Sequence, residues 1–304
     1  MSRKRKLLAS AAAILGMLVL AWTGLWFYAA GQTGKSLAAL QETVQRDGGS
    51  LTWSSYTVSG FPAAIRLELK DVRLEDNHGI LSSPSVTGYV RPWNWTRIHL
   101  PQMTGLVLSL KNQDNSSLLI AAGTADATID LDMALRLRGV ALSAGPVTLK
   151  ASPAFQGIGE LTLDSIRTSA RLTGDMPAGP DAGSWQQWRD RGGALEVDEL
   201  TLSAAPFSAT LTGTATLDAR MRPLGAFTVD ARGLDPLVNS MATGEGQLPQ
   251  YALLIRLALL ALPKAADANG QQIVRIPVTA QDGKLSVLSQ TLADLEPFEF
   301  AGIP

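Results

Sequence analysis

Hydrophobic residues recur at every second position over long stretches of this chain, which is the pattern of β-strands that bury one face. In residues 127–138, six apolar side chains from Ala127 to Leu137 alternate with six mostly polar side chains from Thr128 to Arg138. An extended chain rises about 3.3 Å per residue, so we predict one strand of about 40 Å there. The apolar phase shifts at Gly139, which predicts a β-bulge.

Alternation continues along most of the chain after residue 51. It appears in residues 65–74, 106–110, 195–202, 211–221, 227–231 and 274–287. The phase of the apolar residues slips at Asp71 and again after Val197, and an Asp282-Gly283 turn interrupts the last range. Apolar residues at helical spacing predict short helices at residues 35–46, 183–191, 235–242 and 251–262. The predicted fold is mainly β with a few helices: an N-terminal transmembrane helix followed by long, curved antiparallel sheet.

The transmembrane prediction rests on residues 7–34, which carry no charge, and on the mostly apolar run at residues 7–28. About 20 apolar residues cross a bilayer as a helix. The run begins after four basic residues and ends among amphipathic aromatic rings that favour the headgroup level; the anchor residues are Arg3, Lys4, Arg5, Lys6, Trp22, Trp26 and Tyr28.

Positive charge stays on the cytoplasmic side of a membrane, so the rest of the chain is expected on the opposite side. We predict a single-pass protein of the bacterial inner membrane with its C-terminal domain in the periplasm. The alternative is a cleaved signal peptide. Its apolar stretch would be shorter, and Tyr28 stands where a small residue precedes the cleavage site.

Composition narrows the classes of function. The chain has 26 basic and 27 acidic residues, and without its four N-terminal basic residues it is mildly acidic, so no nucleic-acid partner is expected. It contains no cysteine, which excludes disulfides and zinc–thiolate sites. Neither histidine has a ligand-like neighbour, and Asp130 and Asp132 are expected to be solvated. We predict no enzyme activity, no catalytic residue, no metal and no cofactor.

A Gly-, Pro- and Asp-rich segment at residues 174–184 is typical of a linker. We therefore divide the chain into a basic tip with anchor (1–30), a helical stalk (31–50), a first β-rich half (51–174), a linker with a short helix (175–191) and a second β-rich half (192–304).

Two apolar features are candidates for contact with a ligand or a membrane. Pro92 interrupts a strand-like run, so Trp93 and Trp95 are expected at a corner or edge of the sheet. Leu254 and Leu257 belong to the apolar helix predicted at residues 251–262. That helix is too short to span a bilayer. Packing against the core is the simpler explanation of both features.

Several segments together resemble one bacterial family. They are Gly60-Phe61-Pro62, the W-x-x-x-G-G-x-L-x-V pattern at residues 188–197, the L-x-G-x-A-x-L-D pattern at 211–218, and Pro277 with Asp282-Gly283-Lys284-Leu285. The chain resembles the alphaproteobacterial domain-of-unknown-function family twenty-one twenty-five over nearly its whole length, although Ala205-Pro206 stands where that pattern has Gly-Pro. The resemblance implies an inner-membrane protein with a periplasmic β-rich domain and implies no reaction. A fainter similarity links its hairpins to AsmA-type envelope proteins, whose long sheets are thought to shield lipid.

Two hypotheses for the function remain open. In the first, a membrane-anchored, non-enzymatic envelope protein holds or shields lipid or another apolar ligand on its curved sheet. In the second, a closed β core is a structural or interaction module that recruits an envelope protein partner.

We expect the chain isolated from the membrane fraction to keep its N-terminal segment, because the apolar run is longer than that of a signal peptide. N-terminal sequencing measures this directly. A mature chain that begins near Gly31 would show cleavage instead.

Overall fold

A computed structural model describes residues 3–46, 48–76, 79–111, 117–151, 160–174, 176–177, 181–233, 264–266, 272–288 and 290–298. Within these ranges, the side chains of residues 3–16, 18, 19, 111, 117, 151, 160, 264–266, 272 and 292 are not described. The helices predicted at residues 235–242 and 251–262 lie outside the described residues. The structural statements below concern the described part of the chain.

The chain begins with helix α1 (Arg3–Arg46), so the segment predicted as a helical stalk continues directly from the N-terminal helix. It ends where Gly48 takes a positive φ of 81° and the Gly49 N–H donates to the Val44 carbonyl, because glycine enters this conformation without a steric penalty. Among the described residues, no helix combines the length and the hydropathy that a membrane crossing requires. The transmembrane span stays a prediction.

All the remaining described elements except one are strands. They are β1 (Ser50–Thr52), β2 (Ser55–Ser59), β3 (Ile65–Glu75), β4 (Gly79–Arg91), β5 (Asn94–Lys111), β6 (Ser117–Leu131), β7 (Leu137–Ala151), β8 (Glu160–Leu163), β9 (Ser165–Leu172), β10 (Leu195–Ala204), β11 (Phe207–Leu217), β12 (Pro223–Arg232), β13 (Lys264–Ala266), β14 (Gln272–Gln281), β15 (Lys284–Val287) and β16 (Gln290–Asp294). The exception is helix α2 (Ala182–Asp190), which confirms the helix predicted at residues 183–191.

The described strands form one 16-stranded sheet in which every pairing is antiparallel. Its order follows the sequence from β3 to β7 and from β9 to β12, then continues through β14, β15 and β16. Strands β9 and β10 pair directly, so the segment predicted as a linker joins neighbouring strands of the same sheet. The prediction of a long antiparallel sheet with few helices is confirmed.

One face of this sheet is apolar in every strand of the meander, and we call it the apolar face. Directly paired residues on neighbouring strands form unbroken rows across it. A middle row contains Leu69, Val86, Met103, Ala125, Ala144, Ile166, Leu202, Ala209, Ala231 and Val274. A lower row contains Ile65, Val90, Ile98, Ile129, Val140, Ala170, Val197, Gly213, Phe227, Val278 and Val287.

Local irregularities keep the apolar residues of each strand on this face. Asp71 has a φ of 50° and no direct partner on β4, so Val72 and Leu74 return to the face that Ile65 began. The β3–β4 register is the same on both sides of Asp71, whereas the pairing of β10 shifts between Val197 and Leu200. Both predicted phase slips are confirmed, the first as a left-handed residue and the second as a β-bulge-type shift of register.

The opposite face is polar and wet. Charged pairs join neighbouring strands there: the Arg97 Nε lies 2.5 Å from the Asp130 Oδ1, and the Arg275 Nε lies 2.8 Å from the Asp230 Oδ1. Exposed pairs of this kind contribute less than about 1 kcal/mol each. The burial that stabilises the sheet therefore lies on the apolar face.

Small residues make the core thin. Two clusters of buried residues lie on the central strands, one around Met103, Ala125 and Ala127 and the other around Ala122, Val147 and Leu163. Val147 is only 1% exposed, the lowest value among the described apolar residues. The buried alanines of β6 pack in these clusters with the larger Met103 of β5 and Val147 of β7.

The prediction of one long strand over residues 127–138 is wrong. Strand β6 ends at Leu131, a turn occupies residues 132–136, and β7 begins at Leu137. The chain turns within this alternating stretch because Leu135 adopts a left-handed φ of 62° and Asp132 accepts hydrogen bonds from both the Ala134 and the Arg136 N–H groups. The strand predicted to reach Met221 also ends early, at Leu217.

We expect Val147→Ala to lower the free energy of unfolding by about 1–3 kcal/mol, because the truncation leaves a cavity in a site with no access to water. Chemical denaturation of the full chain in detergent measures the change. Val140→Ala is the matched control on the same strand and the same face, where the side chain is 36% exposed, and it should cost at most about 0.5 kcal/mol. Equal losses for the two variants would contradict the burial difference.

Candidate functional site

Among the described residues, the apolar face is an extended surface that could bind a ligand. Most of its side chains are only half-buried, and Trp188 of α2 forms a buried cluster with Leu217 at one end of it. We name the end of the sheet where β3 begins the lower end. Antiparallel pairing then also places there the turns that follow β4, β6, β9 and β11.

A lower cavity of about 430 Å³ lies between α2 and the apolar face. Trp185 and Trp188 form one wall with ring centroids 5.3 Å apart, and the Trp188 Nε1–H donates to the Thr173 carbonyl at 2.9 Å. The sheet side is lined by Leu172, Leu195, Ala215 and Leu217. The Trp188 ring is buried and its one donor is satisfied, so this wall is rigid and apolar.

Sequence explains why α2 forms at this point. Asp181 caps the helix because its carboxylate accepts the Ser184 N–H at 3.0 Å, and Trp185 and Trp188 are three residues apart on one helical face. After the helix, Gly192 takes a positive φ of 78° and Gly193 lies against the Trp188 ring, where a larger residue would clash. The Gly-Gly pair therefore lets the ring close down on the sheet.

An upper cavity of about 420 Å³ opens at the other end of the same face. Its lining is almost wholly apolar and comes from β7, β8, β9, β10 and β11: Leu149, Leu161, Leu163, Ile166, Leu202 and Phe207. Ile166 and Leu202 also belong to the middle row of the sheet. The two cavities therefore lie on one continuous apolar surface.

Helix α1 meets the lower end of the sheet through its aromatic residues. The Trp22 Nε1–H donates to the Pro62 carbonyl at 3.0 Å, and the Trp26 Nε1–H donates to the Ala64 carbonyl at 2.8 Å. The Trp22 ring stacks on Trp93 with centroids 6.4 Å apart. Phe61 packs on both Trp26 and Phe27, at 5.5 and 6.0 Å. We call this group the aromatic junction.

The structure brings some of the predicted anchor and contact residues together here. Trp22, Trp26 and Trp93 belong to the aromatic junction, whereas Tyr28 is largely exposed on α1. Trp93 in the β4–β5 turn and Trp95 at the start of β5 are exposed, so they do not plug the corner against the sheet. The side chains of Arg3, Lys4, Arg5 and Lys6, and the whole of Leu254 and Leu257, lie outside the description.

Two turns at the lower end share one hydrogen-bonded arrangement. In the β6–β7 turn, Asp132 accepts two backbone N–H groups, and its second oxygen accepts the Arg136 Nε–H at 2.8 Å. In the β11–β12 turn, Asp218 does the same with the Arg220 and Arg222 N–H groups and the Arg222 Nε–H. A left-handed residue, Leu135 or Met221, precedes each arginine.

Sequence reasoning missed these turns, although a signal for them exists. Both occurrences match L-D-x-x-x-R-x-x-G, at residues 131–139 and 217–225. The hydrogen bonds lower the pKa of both aspartates. For Asp132 the Arg136 N–H is the main cause, whereas for Asp218 burial opposes the change and is outweighed by Arg222 and Arg220.

No group of three or more histidine or carboxylate side chains suited to a metal occurs among the described residues. His99 stacks on Tyr89 with centroids 4.8 Å apart, and its Nδ1 lies 3.4 Å from the Thr128 hydroxyl. Asp130 pairs with Arg97 and Asp132 closes its turn. The predicted absence of catalysis, metal and cofactor stays a prediction.

We expect Asp218→Asn to cost about 1–2 kcal/mol of unfolding free energy near pH 7, because the amide nitrogen cannot accept the Arg222 Nε–H. The lowered pKa of Asp218 means that its carboxylate stabilises the fold above the unfolded value of about 3.9, and that this contribution disappears as pH falls through the folded value. The difference between wild type and variant should therefore shrink as pH falls through the folded value. Denaturation of the full chain in detergent across this range measures it, and a constant difference would contradict the role of ionisation.

Comparison with known proteins assigns the family. No curated protein and no solved structure matches the chain, so the similarity to AsmA-type proteins stays a prediction. A family model described as an uncharacterised protein conserved in bacteria (DUF2125) matches residues 26–124 and 114–295. These segments contain the upper cavity, both Asp–Arg turns and the aromatic junction apart from Trp22, and the predicted resemblance is confirmed: the chain belongs to the DUF2125 family.

Proposed function

We propose that this protein is a non-enzymatic envelope protein, anchored in the bacterial inner membrane by α1, that holds an acyl chain or another apolar ligand along the apolar face of its periplasmic sheet. The observation that carries this proposal is the set of unbroken apolar rows from β3 to β14 and β15. A soluble protein rarely leaves so large an apolar surface without a partner.

The two cavities support a long and narrow ligand. Each has a volume within the range of small-molecule sites, and each is lined almost wholly by apolar side chains. Burial of apolar surface contributes about 25 cal/mol per Å², so an acyl chain laid along the rows would gain affinity without any charged partner. Register shifts at β5, β6 and β10 allow the sheet to bend around such a chain.

The membrane part of the proposal rests on the charge-free run at residues 7–34 and on the basic residues before it. The aromatic junction adds support, because Trp22 and Trp26 belong both to the predicted headgroup-level belt and to the contact with the sheet. This arrangement would hold the lower end of the sheet at the bilayer surface, from which an apolar ligand would enter.

The competing hypothesis is an interaction module that recruits an envelope protein. It predicts that the apolar face is sealed in the native chain and that one protein partner is recovered in stoichiometric amount. An experiment that asks whether lipid touches the apolar face separates the two hypotheses.

We therefore expect a photoactivatable phospholipid, with a diazirine in its acyl chain, to crosslink to residues of β9 to β12 when the full chain is reconstituted in vesicles. Mass spectrometry of the peptides locates the crosslinks. Ala215→Phe should reduce those at the lower cavity several-fold, because Ala215 lines that cavity and the phenyl ring would occupy it.

Ala226→Phe is the matched control. Ala226 pairs with Thr214, next to Ala215 in the ladder, but it points to the exposed polar face. This variant adds the same ring outside the cavity and should leave the crosslinks unchanged. Crosslinks confined to α1 in the wild-type chain would refute a ligand-holding sheet.

A further inference from the structure

The β6–β7 turn presents two apolar side chains to the outside of the molecule. Met133 is 75% exposed and Leu135 is 59% exposed. Asp132 and Arg136 hold the turn closed, and the Arg136 guanidinium also donates to the Met176 carbonyl at 3.3 Å. The side chains are therefore displayed by a rigid loop rather than by a frayed end.

In the equivalent turn between β11 and β12, the corresponding apolar side chain is buried by a covering helix. There Met221, the counterpart of Leu135, is 7% exposed because Trp188 of α2 packs on it together with Leu217. The backbone arrangement is the same in both turns, so the difference lies in the covering element. No described element buries Leu135 in this way.

The position of the β6–β7 turn relative to the β4–β5 turn indicates which partner could cover it. Arg97 of β5 pairs with Asp130 of β6, and Trp93 and Met133 lie four and three residues beyond that pair toward the lower end. Neighbouring strands are about 4.8 Å apart, so the β6–β7 turn lies about 10 Å along the edge from the β4–β5 turn. The exposed apolar tips of the two turns are therefore at a similar level.

The β4–β5 turn is itself joined to α1 at the aromatic junction, through the contact of Trp93 with Trp22. An exposed apolar edge thus extends from the aromatic part of the helix through Phe61 and Trp93 to Met133 and Leu135. This continuity argues for a single partner that meets the helix and the sheet at one level, and a planar lipid surface has that shape.

We propose that the β6–β7 turn is a second membrane contact, in which Met133 and Leu135 insert into the interface of the bilayer that α1 crosses. This inference rests on the proposed membrane anchor and extends it from the helix to the sheet. Two contacts on one edge fix the tilt of the sheet as well as its distance from the membrane. The lower end of the apolar face is then held against the lipid.

The chain lacks cysteine, so Met133→Cys gives a single labelling site without further mutation. We label the full chain there with an environment-sensitive fluorophore and reconstitute it, at less than one copy per vesicle, in phosphatidylethanolamine and phosphatidylglycerol. Quenching by a phospholipid with a nitroxide near its headgroup should be several-fold stronger than at Glu75→Cys, and quenching by aqueous iodide several-fold weaker. Glu75 is an exposed residue at the upper end of β3.

Leu135→Cys provides a second reporter in the same turn, and it should behave like the first. A label at residue 133 that is quenched by iodide as strongly as the label at residue 75 would overturn the proposal. Protection from both quenchers would also overturn it, since that result indicates burial against protein.

Flotation of the same vesicles distinguishes this inference from the proposed function. If the labelled chain floats with the vesicles while residue 133 stays in water, the anchor holds and the second contact is wrong. If the chain does not float, the proposed anchoring fails with it.

Discussion

The constraint on which the structure depends is that every strand must keep its apolar residues on the same face of one sheet. Side chains alternate with a period of two, so a slip of one residue would turn a whole strand's apolar set toward water. The left-handed backbone of Asp71 in β3 and the register shift after Val197 in β10 each restore the phase. Without these irregularities the rows of the apolar face would be interrupted at the third strand.

Small side chains then determine how this face can be used. Ala122, Ala125 and Ala127 give β6 short side chains on this face. Met103 and Val147 of the adjacent strands pack against them. Large aromatic side chains occur instead near the lower end, at the aromatic junction and on α2. If a ligand binds this face, the short alanine side chains leave room for a chain that lies along the rows.

Sequence reasoning predicted the sheet because period-two alternation is a local property, and it placed the irregularities at Asp71 and Val197 for the same reason. It failed at residues 132–136, where the alternating letters continue through a turn that depends on the left-handed φ of Leu135. It could not locate the cavities, because Leu149 and Leu202 are far apart in the chain and meet only through the register of intervening strands. Local patterns thus predicted elements, whereas the site required pairings that no local pattern contains.

The aromatic junction relates the direction of every strand to that of α1. Because the Trp26 indole donates to the Ala64 carbonyl just before β3 begins, the lower end of β3 is held beside the helix. Antiparallel pairing transmits this direction across the sheet, so the turns after β4, β6, β9 and β11 all emerge at the same end. Helix α2 occupies that end near β11, where it buries Met221, and leaves the turn nearer to α1 uncovered. If α1 crosses a bilayer, the uncovered turn is the one that the geometry brings toward lipid, and the covered turn is the one that forms the lower cavity.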